Sequence, residues 1–227
     1  KDSFQFHPLN FMHARAKDCS NLGASIFENS KFISYQIDGG RINSRVFNGN
    51  EMVKVQSEKI VFATGGYGGK EIKDLKNYWL PIKTFIGVTK PLGNELHSVL
   101  KKPLGFSDNR RAGNYYRVLP GNRLSWGRGI SAVGKFTSLS LKRAISKEIS
   151  YFFPELRNVE IDYVWFGNMA YASHYMPYVG SIKIGNEEKN VFTLMGFGGH
   201  GMNTAPGSAM VLGDFILGKS SKHKVFN

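Results

Sequence analysis

The chain is poor in cysteine, with Cys19 alone among 227 residues. A single thiol excludes an internal disulfide framework and any zinc centre built from cysteines. Cys19 falls in a helical stretch, where an apolar filler is expected rather than a nucleophile. No run of 18 apolar residues occurs, so no transmembrane span is expected. The first residues carry no signal-peptide pattern, and with one thiol a reducing, cytoplasmic compartment fits. Acidic residues are also scarce, 17 against 30 Lys and Arg, for a net charge of +13. Such an excess suits nucleic acid or an anionic surface. The basic residues are nevertheless scattered, and the densest stretches (Arg110–Arg111, Lys142–Arg143–Lys147, Lys219–Lys222–Lys224) are short. No nucleic-acid partner is therefore expected, and a basic nucleic-acid or membrane-surface protein is kept as a minor alternative. The excess also fits a lysine-rich proteome, or a piece whose partner carries the acids. The chain starts at Lys1 rather than Met, which leads us to expect a segment upstream.

Several chemical signatures are missing too. No GxxxxGK follows a strand, and the GxGxxG spacing at Gly196–Gly201 precedes the last helix with no strand behind it to complete a βαβ unit, so no complete nucleotide fingerprint is present. There is no HExxH, and His7, His13, His97, His174 and His200 lack metal-ligand spacing, so no metal is expected. No GxSxG supports a hydrolase elbow. Glu160 and Asp162 share one strand face and read as solvent-facing rather than as an acid–base pair.

What is present is a folded protein. The length allows a sizeable core and one or two domains. The 41% hydrophobic and 13% aromatic content argues against disorder. Pro8 opens a helix that runs to about Leu22, where Gly23 stops it. Ala24–Glu28 reads as a short strand. Lys31–Ile37, Arg41–Phe47 and Glu51–Gln56 form a meander, joined at Asp38–Gly39–Gly40 and Asn48–Gly49–Asn50. Lys59–Ala63 reads as a buried strand opening into Thr64–Gly65–Gly66, which is where an open α/β sheet places a ligand. Lys83–Lys90, Asn114–Leu119, Arg123–Gly127 and Val159–Phe166 read as antiparallel strands. Asn94–Leu100 is a short helix, and Ser140–Phe153 is amphipathic with Leu141, Ala144, Ile145 and Ile149 on one face. Val191–Met195 is a further strand, Ala205–Leu217 the last helix, and the final eight residues are expected to fray.

Glycine is abundant, 26 residues against an average of about 7%, and it clusters. Gly196–Phe197–Gly198–Gly199–His200–Gly201 precedes the last helix. Such density is entropically costly, so a tight path or close approach to a ligand is expected. The helix behind offers free N–H groups and the positive end of its dipole, suited to a planar cofactor that gains negative charge. A crowded strand-to-helix turn is the plainer reading. His200 is open between cofactor or substrate contact and a satisfied turn histidine.

The chain resembles the FAD-dependent oxidoreductases of the D-amino-acid oxidase family, and within it the gamma-glutamylputrescine oxidoreductase-like members. The likeness rests on His7–Pro8–Leu9 with its helix, Gly23–Ala24–Ser25–Ile26–Phe27–Glu28, and Val61–Phe62–Ala63–Thr64–Gly65–Gly66–Tyr67. It continues through Asn114–Tyr115–Tyr116–Arg117, Gly121–Gly129, Tyr163–Val164–Trp165–Phe166–Gly167 and Gly196–Gly201. The resemblance covers the family's C-terminal two-thirds and implies an α/β fold with mixed sheets. Residues 1–80 and 180–227 would form a partial FAD-binding domain of the glutathione-reductase type, lacking the N-terminal GxGxxG unit. Residues 81–179 would form an antiparallel α+β substrate domain.

The resemblance also implies site roles. Ala63, Thr64, Gly65 and Gly66 would line the FAD pyrophosphate and adenosine side. Gly196, Gly198, Gly199, His200, Gly201 and Met202 would line the flavin ring and ribityl chain. Hydride would pass from the amine-bearing carbon of a small amine or amino acid to flavin N5, and the imine would hydrolyse. Arg117 and Tyr115 or Tyr116 would touch substrate, each with a plain strand role as the alternative. No cysteine stands where covalent flavin attachment would need one, so FAD would be non-covalent. Ser173–His174–Tyr175–Met176–Pro177 keeps the family's proline but replaces its usual acid. The missing N-terminal segment would be a partner of the chain. The other overall reading is a non-catalytic remnant or fragment that acts as a structural or partner-binding module.

Overall fold

The computed structural model describes residues 4–68, 72, 75, 77–110, 113–134, 136–184, 187–220 and 222–226, with the backbone alone at 183, 184 and 187–189. The chain divides into two compact units. One takes Phe6–Pro81 and Met169–Asn227, and the other takes Ile82–Asn168 with the residues before Phe6. The fold is mixed α/β, with three sheets among the described residues.

The first unit opens with helix α1, Pro8–Asn21. Pro8 sits at its start, where a missing N–H costs nothing, and His7 Nδ1 accepts the Asn10 amide at 3.3 Å. The helix ends as Gly23 turns to φ +93 and the Ala24 amide returns to the Cys19 carbonyl at 3.0 Å. None of its residues is buried, and Cys19 is exposed, contrary to the filler expectation. The reason is local: no residue of this helix joins a core cluster among the described residues. Ala24–Glu28, expected as a strand, joins no ladder among the described residues, and Ile26 and Phe27 stand 55% and 77% exposed. Apolar pattern alone makes no strand without a neighbour to receive its N–H and C=O groups.

Strands β1 (Lys31–Asp38), β2 (Arg41–Phe47) and β3 (Met52–Ser57) form the expected antiparallel meander. Its hairpins depend on glycine, with Gly39, Gly40 and Gly49 all at positive φ. The register puts Ile42 on the buried face, where it joins Phe62, Ile182 and Val191 in one core cluster. Strand β4 (Ile60–Phe62) lies parallel to β11 (Glu187–Met195), which pairs antiparallel with β10 (Tyr178–Ile184). Helix α4, Gly201–Ile216, follows β11. Within the tail expected to fray, Lys222–Phe226 forms a 3-10 turn. His223 stacks on Phe215 at 3.5 Å, and Phe226 packs on the Val179, Phe192 and Leu212 cluster. These apolar contacts outweigh the polar composition of the tail.

The second unit is an antiparallel sheet ordered β6-β7-β8-β5-β9. Its strands are β5 (Trp79–Thr89), β6 (Gly105–Ser107), β7 (Tyr115–Leu119), β8 (Arg123–Ser131) and β9 (Ile161–Ala172). Helix α2 spans Asn94–Val99 and α3 spans Ser138–Phe152. Thr137 and Ser140 form a capping box at the start of α3. The helix buries Leu141, Ile145 and Ile149, and the last two join Leu124, Trp126 and Ile161 in the unit's core. Gly87 of β5 packs closely under α3, where a Cβ would lie 2.8 Å from Ile145 Cδ1.

A loop of this unit carries a pH-sensitive clasp. Asp108 accepts the Arg110 amide at 3.0 Å, the Asn114 amide at 2.9 Å and the Arg110 guanidinium Nε at 3.0 Å. The guanidinium first, then the Asn114 amide, hold the Asp108 carboxyl down to about 2 from its ordinary 3.8. A depressed folded value favours the folded loop above the unfolded value and ceases to do so as pH falls through the folded one. We expect protection of the Arg110 and Asn114 amides from hydrogen exchange to decline between pH 3.8 and about 2, and Asp108→Asn to remove that step. A decline of the same size in the Asn variant would contradict this origin.

Candidate functional site

Two glycine turns predicted separately meet at the carboxyl end of neighbouring parallel strands. Residues Ile60, Val61 and Phe62 of β4 register with Val191, Phe192 and Thr193 of β11. Thr64–Gly65–Gly66 therefore leaves the sheet beside Gly196–Phe197–Gly198–Gly199. Ends of parallel strands are where open α/β sheets receive ligands. Thr64 Oγ1 donates to Met195 Sδ at 3.5 Å and ties the two turns together.

The first turn is a 3-10 segment, Gly65–Tyr67, with Gly65 at φ +59 and Gly66 buried. Ala63, Thr64 and Gly65 are exposed. Gly68 belongs to the same turn for a steric reason: a Cβ there would sit 1.9 Å from Thr64 Oγ1.

The second turn separates into structural glycines and one that the protein does not require. Gly196 takes φ +85, and a Cβ on it would lie 3.0 Å from Ala172 Cβ. Gly198 takes φ +58 beside the Tyr171 ring, and its amide bonds to the Ala170 carbonyl at 2.7 Å. Gly199 has neither constraint. Its φ is not positive, its nearest neighbours would be Met169 Sδ at 3.6 Å and Tyr171 Oη at 4.0 Å, and it is exposed.

His200 ends the turn and begins α4 one turn earlier than expected. Its carbonyl accepts the Asn203 and Thr204 amides, both at 3.2 Å, and Thr204 Oγ1 at 2.9 Å. The Gly201 and Met202 amides have no protein acceptor among the described residues, and no side chain caps the helix. Two backbone donors thus face outward at the positive end of a sixteen-residue helix. The His200 imidazole is exposed and has no hydrogen-bond partner among the described residues. Met202 is 39% exposed. Tyr171 beneath this turn escaped the sequence reading because β9 runs on to Ala172. The small apolar run after Gly167 was the available signal.

The other residues singled out lie in the second unit. On β7, Tyr115 and Arg117 alternate with Tyr116 and so face the opposite side of the sheet. Tyr115 Oη is 3.1 Å from Thr84 Oγ1, and its ring covers Gly127, where a Cβ would come within 2.0 Å. Tyr116 stacks between Phe106 at 5.3 Å and Trp126 at 4.6 Å. Burial raises the Tyr116 phenol above its usual value, with a smaller contribution from Asp108. Its ring belongs to the core. Arg117 is half-buried and has a partner of its own. Asp162 is not simply solvent-facing: it pairs with Arg123 at 2.6 Å, both partly exposed, and Glu160 pairs with Lys90 at 2.6 Å.

Among the described residues, no helix is long and apolar enough to cross a membrane, and no group of three His, Cys, Asp or Glu could hold a metal.

The chain is similar to the probable oxidoreductase OrdL of Haemophilus influenzae, with 27% identity over 230 residues, covering 99% of this chain and 50% of that protein. It is 24% identical to the gamma-glutamylputrescine oxidoreductase of Escherichia coli over 222 residues, covering 97% of this chain and 50% of that one. The chain therefore spans about half the length of the curated relatives it matches. In fold it matches the glycine oxidase from Bacillus cereus at TM-score 0.72 and 19% identity, covering 93% of this chain and 55% of that one. The L-proline dehydrogenase from P. horikoshii matches at TM-score 0.72 and 20% identity, covering 94% and 56%. The model of the family described as "DAO: FAD dependent oxidoreductase" matches residues 1–215, and the chain belongs to that family.

Proposed function

We propose that the chain is part of a flavin-dependent enzyme that oxidises an amine or amino acid, with FAD held non-covalently at the paired glycine turns. The observation that carries this reading is the outward-facing pair of amides at Gly201 and Met202, beside a Gly199 that the protein's own packing does not require. A site with unpaired donors and an unfilled Cβ position fits a flat, electron-accepting group.

FAD, when bound, supplies the acceptor for hydride from the amine-bearing carbon, and the resulting imine hydrolyses in water. The chain's residues do the rest. Gly201 and Met202 donate backbone hydrogen bonds, and the α4 dipole favours negative charge at that edge. Gly199 leaves the approach free of side chain. Thr64, Gly65 and Gly66, with Ala63, form the second wall. Arg117 offers a guanidinium suited to a carboxylate, and Tyr115 offers a hydroxyl already oriented by Thr84. Tyr116 acts by packing, and His200 contributes an exposed imidazole at the turn. Residues 1–80 and 180–227 are assigned to flavin, and 81–179 to substrate. The exposed Leu22, Ile26 and Phe27 support a further segment of the same protein as their cover, since contiguous exposed apolar surface marks an interface. The chain alone is then catalytically silent.

Protein expressed from its complete reading frame should retain flavin through gel filtration, show flavin absorbance bands that bleach with an amine or amino-acid substrate, and release the flavin on denaturation. Colourless protein that cannot be reconstituted with FAD would overturn the proposal.

A further inference from the structure

The flavin reading leaves the basic residues of α3 unused. Lys142, Arg143 and Lys147 line a groove of about 500 Å³ between α3 and residues 158–161. Arg143 and Lys147 are four residues apart, a spacing at which like charges on a helix repel. Neither forms an ion pair among the described residues. Lys142 Nζ donates to the Asp162 carbonyl at 2.8 Å, which fixes its ammonium group and leaves two donors unused. Glu160 is the groove's carboxylate, and it is engaged by Lys90 at 2.6 Å. The facing wall is held in place: Ser146 Oγ donates to the Val159 carbonyl at 2.7 Å, and Ser150 Oγ accepts the Asn158 amide at 3.3 Å. Asn158 is held at φ +56.

Cations brought together without acidic partners, on a wall fixed by hydrogen bonds, lack a counter-charge. We propose that this groove binds a multivalent anion carrying adjacent phosphate groups. Lys142 to Lys147 spans about 7.5 Å of helix rise. That is the scale of a di- or triphosphate, whereas a nucleic-acid backbone would require a longer track of cations.

Titration of the purified full-length protein with tripolyphosphate at physiological ionic strength should show saturable binding of one anion per chain. Arg143→Ala combined with Lys147→Ala should weaken it at least tenfold, and Lys147→Arg alone should preserve it. Arg45→Ala combined with Lys54→Ala removes the same charge from the β1–β3 meander and should leave binding within twofold. A parallel arm uses vesicles bearing phosphatidylinositol 4,5-bisphosphate, whose headgroup carries adjacent phosphates: capture that requires Arg143 and Lys147 identifies a lipid headgroup as the source, and tripolyphosphate binding without capture identifies a soluble ligand. Absence of saturable tripolyphosphate binding, or equal weakening by both double variants, would overturn the proposal. The readout compares surface variants and does not depend on flavin, so its failure is distinct from failure of the flavin reading.

Discussion

Gly199→Leu will cost the full-length protein its flavin while leaving its flavin-free stability intact. The position has ordinary backbone geometry, and the nearest atom to an added Cβ is Met169 Sδ at 3.6 Å. A Cβ there makes ordinary van der Waals contact rather than a clash, and adding a side chain to a loop glycine also reduces unfolded-state entropy. Stability should stay within about 0.5 kcal/mol. The leucine would occupy the approach to the Gly201 and Met202 amides, so flavin affinity should fall at least tenfold, about 1.4 kcal/mol. Gly196→Ala is the contrasting variant. At φ +85 with Ala172 Cβ 3.0 Å away, alanine should destabilise the fold itself by about 1–2 kcal/mol. Urea midpoints of flavin-free protein and flavin titrations of both variants separate the effects. Wild-type flavin affinity in Gly199→Leu would remove the basis for placing the ligand at this turn.

Trp126→Ala should cost about 3–5 kcal/mol, a large share of the roughly 5–15 kcal/mol that stabilises a domain. Trp126 is fully buried. It lies stacked on Tyr116 at 4.6 Å, with Phe153 edge-on at 6.1 Å. Its indole Nε1 donates to Glu148 Oε2 at 3.2 Å. Arg128 Nε lies 3.0 Å from the same oxygen as an ion pair but lacks hydrogen-bond alignment. Truncation would therefore open a cavity and remove the aligned donor that Glu148 has among the described residues. Trp126→Phe should lose less, because most of the ring contact survives. Urea unfolding measures both, and a loss below about 1 kcal/mol for the alanine variant would show that this aromatic stack is not the unit's core.

Local signals were readable where the chain contacts itself nearby. The turns at Gly39–Gly40 and Gly49 require positive φ, and sequence marks that need with glycine. The buried face of α3 follows the helical period through Leu141, Ile145 and Ile149. Long-range pairing was not readable, as in the parallel contact of β4 with β11. Strand β10 and the short β6 were missed although each pairs with the next strand in sequence, β11 and β7. The start of α4 was placed late, at Ala205, after the glycine-dense stretch, whereas the helix opens at Gly201 and carries Pro206 within it. Ala24–Glu28 carried a strand-like pattern but no partner, and Cys19 a helical position but no cover.

The candidate site divides in the same way. Each glycine turn was visible in sequence, but their adjacency rests on the parallel β4–β11 register. Sequence could not distinguish Gly196 and Gly198, which the backbone needs, from Gly199, which it does not. It also could not say which of Tyr115 and Tyr116 faces the core without knowing which side of β7 the helix covers.

The most direct measurement is a crystal structure of the flavin-loaded, full-length protein. The account predicts the polar edge of the flavin ring within about 3.2 Å of the Gly201 and Met202 amide nitrogens, with Gly199 against the cofactor. Flavin bound elsewhere, with those two amides bonded to water or to protein, would contradict it.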